Sequence, residues 1–247
     1  MKARLLAGLL LGIILNWGVS VNAQSIMPFA SMTITYAEVL QVASNTNEYS
    51  ATALVFANIK GKHLVNHLTL MVSGDHIRTE FRLCEFAPPN IPEPRLKIIA
   101  SMDSDEVVAI YHADKDSCDF LFPRMKAACQ ITVPKSLQEL HDEMITNKIV
   151  RTVIGHEMIK ENPCRKIQVR DNCPNPRTTA IIWENEKNNQ PVCLQIGQTN
   201  DLVNLNIYSF VAGKPDAAQF EIPAGYTNYS SLTNILMEAR KRLVLRR

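Results

Sequence analysis

His63 to Leu83 reads HLVNHLTLMVSGDHIRTEFRL. Leu64, Leu68 and Leu70 recur at even spacing, Ser73-Gly74-Asp75 breaks the run, and alternation resumes at Ile77. A strand sends successive side chains to opposite faces, so a period of two places alternate residues on one surface. Gly and Asp between two such runs signal a hairpin. The stretch predicts two antiparallel strands.

The same period extends on both sides. Upstream, YSATALVFANI (49–59) is rich in β-formers, with Leu54 and Phe56 on one face. Downstream, residues 95–134 predict three or four short strands, with Asp103-Ser104-Asp105 and Asp114-Lys115-Asp116 as turns. Strands are predicted again at IVRTVIGHEMI (149–159), PCRKIQVR (163–170), TTAIIWEN (178–185), PVCLQIGQ (191–198) and LVNLNIYSFV (202–211). Asp, Asn, Pro and Gly separate them, as in a meander.

Three stretches change period. Thr35 to Ser44 predicts a short helix, with Thr35 and Glu38 placed as a capping box. Ser136 and Glu139 repeat that pattern ahead of Leu137, Leu140 and Met144. In the tail, Leu232, Ile235, Leu236, Ala239 and Leu243 fall at helical spacing, and Arg240, Lys241 and Arg242 suit the negative end of a helix. A long antiparallel sheet with few helices cannot have both faces covered. The expected fold is α+β: a mainly antiparallel sheet that curls, with the short helices in its concave side.

FAPPNIPEP (86–94) holds four prolines and cannot belong to a ladder. It reads as a surface loop, either a connector or a partner-docking edge. In DAAQFEIPAGY (216–226), Phe220 and Ile222 read as inward residues of a last strand. Pro223 stops that strand, and Pro223-Ala224-Gly225 turns the chain into the final helix.

Lys2 and Arg4 precede an apolar run from Leu5 to Leu15, too short for a membrane span, and Val21-Asn22-Ala23 reads as a cleavage site. The expected organisation is a signal peptide over 1–23 and one β-rich domain over 24–247. The expected location is periplasmic or secreted, with no transmembrane span after cleavage. Removing Lys2 and Arg4 from a chain of net charge +2 leaves it near neutral, which argues against nucleic acid as a partner. Six cysteines, Cys84, Cys118, Cys129, Cys164, Cys173 and Cys193, are an even set in an exported chain and predict disulfides. Short loops favour Cys118 with Cys129 and Cys164 with Cys173.

Catalytic patterns are missing. The sequence holds no nucleophile elbow, phosphate loop or dinucleotide fingerprint. His63 and His67 have metal-ligand spacing for a helix, but on a strand they lie about 13 Å apart. His112, beside Asp114 and Asp116, reads as part of a solvated turn. No catalytic residue, cofactor or metal ligand is nominated.

The segments YSATALVFANIKG, LMVSGDHIRTEF, GHEMIKENPCRKIQV, AIIWENEKNNQPVCLQI and DAAQFEIPAGY together resemble the LolA/LolB-like superfamily of periplasmic proteins. The resemblance covers most of the mature chain and is nearest to an uncharacterised exported branch. Gly74, Arg78, Gly155, Cys164, Trp183, Pro191, Phe220, Pro223, Gly225 and Tyr226 are the matching positions. It implies a half-open barrel wrapped around helices, with an apolar cavity. One departure is clear: Gly74-Asp75 stand where the lipoprotein carrier has Arg-Pro.

The expected function is non-enzymatic binding of an apolar ligand, a lipid or the acyl chain of a lipoprotein. The ligand face would be lined by Leu54, Phe56, Leu68, Leu70, Ile182, Leu205 and Ile207. The same residues also fit a filled core. The alternative is an envelope interaction or sensor module, docking a protein partner and carrying no cargo.

Overall fold

The structure, a computed structural model, describes residues 36–37, 39–41, 44–59, 62–82, 106–115, 117–133, 149–171, 179–198 and 201–244. The predicted leader, the proline-rich segment and the helix predicted near 136–147 lie outside these residues.

Twelve strands form one sheet. The first six are β1 (Glu48–Ile59), β2 (Lys62–Ser73), β3 (His76–Arg82), β4 (Glu106–His112), β5 (Ser117–Phe122) and β6 (Ala127–Thr132). A second series follows: β7 (Ile149–Ile159), β8 (Asn162–Asp171), β9 (Thr179–Asn185), β10 (Pro191–Gln198) and β11 (Asp201–Ala212). The short β12 spans Thr227–Asn228, and a C-terminal helix spans Leu232–Val244. The spatial order is β12-β6-β5-β4-β3-β2-β1-β11-β10-β9-β8-β7. Two meanders are thus joined along β1 and β11, and the sheet stays open, with β7 and β12 at its edges. All pairings are antiparallel except β12 with β6. This is the curled antiparallel sheet expected from the alternation and the half-open barrel that the resemblance implies.

Local chemistry sets the turns. Ser73 pairs with His76 across a two-residue loop, and Gly74 takes φ +56° at its first position. A hairpin loop of the II′ kind needs a positive φ there, which glycine adopts without steric cost. Between β7 and β8 the loop is Lys160-Glu161, and both residues have positive φ.

The main core lies on one face of the sheet. Ala51, Ala53 and Val55 of β1 alternate inward. Their neighbours across the ladder include Leu68 and Leu70 on one side and Leu205 and Ile207 on the other. Helical residues Tyr36, Ala37, Val39 and Leu40 complete this core, with Leu232 and Ile235 of the C-terminal helix. Tyr49 is fully buried, and its hydroxyl donates to the Ala37 carbonyl at 2.6 Å.

A second, smaller core covers the outer face of β4–β6. Val108, Ile110, Leu121 and Ala128 pack with Phe220, against Met71, Ile222 and Tyr226. β5 is therefore buried on both faces. Phe220 ends a 3-10 turn over Ala217–Phe220 rather than lying in the expected last strand. The reason is local: the Asp216 carboxylate accepts from the Ala218 N–H and starts a turn instead of a ladder. Arg78 donates to the Gln219 carbonyl at 2.6 Å and ties this strap down. The chain then runs into β12, which pairs parallel with β6.

The expected disulfides need correction. Cys118, Cys129, Cys164 and Cys193 are free thiols. Cys118 faces Ile131, while Cys129 faces Phe120, so the two cysteines are diagonal neighbours on adjacent strands. Diagonal positions lie about 7–8 Å apart, beyond the usual reach of a disulfide. Cys173, the other expected partner of Cys164, lies outside the described residues, as does Cys84.

Candidate functional site

The concave face is built from one alternate set of residues on each strand. Val107, Ala109 and Tyr111 of β4 face inward, as do Phe120 and Phe122 of β5. Leu194 and Ile196 of β10 and Ala180 and Ile182 of β9 continue the face on the far side of β1. Five of the seven residues expected on a ligand face lie here: Leu68, Leu70, Ile182, Leu205 and Ile207, all buried.

Leu54 and Phe56 do not share that face. They sit on the convex side, where Leu54 is half-buried and Phe56 is exposed. Phe56 pairs with Val65 and Asn204, and Leu54 with His67 and Asn206. The outward set of β1 mixes Leu54 and Phe56 with Ser50, Thr52 and Asn58, while the inward set of Tyr49, Ala51, Ala53, Val55 and Ala57 is apolar throughout, so picking the larger aliphatic and aromatic side chains points to the wrong face. The small inward side chains Ala51, Ala53 and Ala57 share one core with the helical segment whose Ala37 carbonyl accepts from Tyr49.

Toward β7 the concave face turns polar. Glu184 is buried at 3 % exposure. Arg151 and Arg165 both donate to it, and Arg165 also reaches Asn189. Two guanidiniums around one carboxylate leave one positive charge in excess within this group, and the Arg165 Nε has no partner among the described residues. The arginine side chains are about one-third exposed, at 32 % and 35 %. Val153 and Met158 are exposed beside them on β7. The pattern behind this rim is Arg151, Arg165 and Glu184 at inward positions of neighbouring strands. The sequence does not display it, because the strand pairing has to be known first.

The convex face carries its own polar group. Glu157 accepts from Lys166 at 2.7 Å and from the Trp183 indole at 2.9 Å. Lys166 also sits 5.2 Å from the Trp183 ring centroid. The Lys166 and Trp183 hydrogen bonds hold the Glu157 carboxyl below its usual range.

The thiols are poor nucleophiles as placed. Burial pushes Cys129 and Cys193 up to about 11, and pushes Cys118 up further. His112 is buried rather than part of a solvated turn, and it pairs with Asp119 at 3.1 Å. No described helix is long and apolar enough to cross a membrane.

No protein-family profile and no curated protein sequence matches the chain. Solved structures do. A DUF1329 family protein from Desulfovibrio piger is 10 % identical, with TM-score 0.35, covering 76 % of this chain and 97 % of its own. A LolA superfamily protein from Nitrosomonas europaea is 8 % identical, with TM-score 0.31, covering 82 % and 98 %. LprF from Mycobacterium bovis is 12 % identical, with TM-score 0.40, covering 78 % and 98 %. LolA superfamily proteins are thus among the structures this chain is similar to.

Proposed function

We propose that this chain is an exported, non-catalytic protein that binds an amphiphile, with an acyl chain on the concave face and a polar head at its β7 rim. The observation that carries this reading is the change of chemistry along one face. It runs from Leu205, Leu194 and Ile182 to the Arg151–Glu184–Arg165 group within neighbouring strands. These three side chains are fully buried, so an acyl chain reaches them as the helical segments of the same core shift aside; an apolar lining with a few convergent polar groups is the usual make-up of a small-molecule site. The excess positive charge favours an anionic head, and guanidinium suits carboxylate or phosphate. Val153 and Met158 mark the side of entry, since they are apolar, exposed and next to the arginines.

The test is native mass spectrometry of protein purified from the cell envelope without detergent, followed by solvent extraction. A lipid or acylated peptide at near one-to-one occupancy supports the reading. A clean apo mass, with no uptake of added anionic lipid, overturns it. Sequencing the exported protein checks its address: the mature chain, read as a single domain over 24–247, should begin at Gln24.

A second reading rests on the convex face. Phe56 and Val65 are exposed and directly paired, with Tyr208 exposed nearby and bonded to His67. An envelope protein docking there would make the chain an interaction module without cargo. Phe56→Asp would then abolish co-purification of that partner and leave lipid occupancy unchanged.

A further inference from the structure

Four of the six buried side-chain polar atoms that lack a partner among the described residues belong to one place on the convex side: His76 Nδ1, His112 Nδ1, Ser117 Oγ and Asp119 Oδ1. Buried polar atoms are normally satisfied, because leaving one bare forfeits its hydration without return. Such a concentration points to a ligand.

The fold assembles the group by register. His76 opens β3 and pairs directly with His112, the last residue of β4. Ser117 pairs with His112 from the other side. Asp114 follows in the 3-10 turn over Ala113–Lys115. One ring nitrogen of each histidine and one Asp114 carboxylate oxygen lie within 4.8 Å of one another. The His76 Nδ1 to Asp114 Oδ1 separation is 3.9 Å. Ligands of a tetrahedral ion with bonds of about 2.1 Å sit about 3.4 Å apart, so the three atoms have to draw together by no more than about 1.4 Å to bind one.

The surroundings match a metal centre too. His112 has a side chain only 8 % exposed, and its Nε2 lies 3.1 Å from an Asp119 oxygen. A carboxylate on the far nitrogen of a ligating imidazole is the usual outer support of such a ligand, fixing its tautomer and direction. Nδ1 is then left to bind. The two rings meet edge to face at 5.0 Å, and Phe220 packs on His76 at 5.9 Å, which shields one side. Asp114, with its side chain 45 % exposed, leaves the other side open to solvent.

We propose that His76, His112 and Asp114 bind a divalent transition-metal ion of the zinc class, with Asp119 as a positioning residue and the fourth position open. Two imidazoles and a carboxylate are borderline ligands that suit such an ion better than calcium or magnesium. The site lies on the opposite face from the amphiphile surface and beneath the strap, so it is independent of that reading. From that place the ion would tie β3, β4 and the turn together under Phe220.

The test is zinc alone, titrated into chelator-treated full-length mature protein against a chromophoric chelator. One equivalent should bind, and the unfolding temperature should rise with free zinc, as any ligand selective for the folded state requires. Asp119→Asn should weaken binding about 10–100-fold. His76→Gln and Asp114→Asn should each weaken it by about tenfold or more, as loss of a direct ligand demands. Asp114 is exposed, so its variant should fold even if the His76 variant does not. Absence of one-to-one binding at micromolar zinc, or equal affinity in Asp114→Asn and wild type, would overturn the proposal.

Discussion

Trp183 donates its indole N–H to Glu157 across β8, at 2.9 Å, on the convex face of the sheet. Lys166, on the strand between them, donates to the other oxygen of the same carboxylate. Glu157 is thereby held in its charged form, with its pKa below the usual value. A depressed carboxylate contributes stability above its unfolded pKa and loses it as pH falls through the folded one. With Trp17 in the predicted leader, Trp183 alone reports on the mature chain. Its fluorescence should therefore change in acid with a midpoint below that of a free glutamate. Glu157→Gln should remove the transition; a transition that persists in that variant would assign it elsewhere.

Leu205 and Phe56 should separate the two faces. Leu205 is fully buried between β10 and β1, so Leu205→Ala should cost about 2–5 kcal/mol in urea unfolding. Phe56 stands on the convex side at 36 % exposure, and Phe56→Ala should cost clearly less, about 1 kcal/mol. Equal losses would mean that β1 is in the other register.

Tyr49 links the sheet to the N-terminal helical segment. Tyr49→Phe keeps the ring stacked on Phe210 but leaves the Ala37 carbonyl without its buried donor. The expected loss is about 1–3 kcal/mol. Hydrogen exchange should show it most clearly in residues 36–44. No change there would mean the hydroxyl is dispensable to docking.

The four described thiols should be slow to react. Cys129 and Cys193 are pushed up to about 11 by burial, so at pH 8 only about one thiol in a thousand is ionised. Peptide mapping after alkylation should find Cys118, Cys129, Cys164 and Cys193 unmodified in the native protein and fully labelled in denaturant without reductant. Failure to label Cys118 and Cys129 without reductant would restore the disulfide between them.

Strand positions were legible in the sequence because alternation is local. Residues 149–159 and 191–198 are strands to the residue, and β1 differs by one residue. Facing was legible only where one alternate set was clearly polar. In β1 the bulky Leu54 and Phe56 stand in a mixed set with Ser50, Thr52 and Asn58, and the small apolar set of Ala51, Ala53 and Ala57 is the one that faces in. Phe220 and Ile222 imitate a strand by spacing, yet Asp216 sends the chain into a turn. The Arg151–Glu184–Arg165 rim and the His76–His112 pair were hidden for a different reason. Each joins residues from separate strands, so neither exists until the register is set.

The join between β1 and β11 pairs Ile59 with Asp201 and Tyr49 with Ala212. Every other antiparallel pair links strands that are consecutive in the chain. Each meander can therefore assemble from near neighbours, while this seam, and the docking of the Phe220 strap and β12 on β4–β6, must wait for closure of long loops. The molecule is in this respect two pieces sewn at two places, along the β1–β11 seam and where the strap and β12 close on β4–β6. Chains split between β6 and β7 should find each other in trans through these two joins, which should be the last parts to form and the first to part under load.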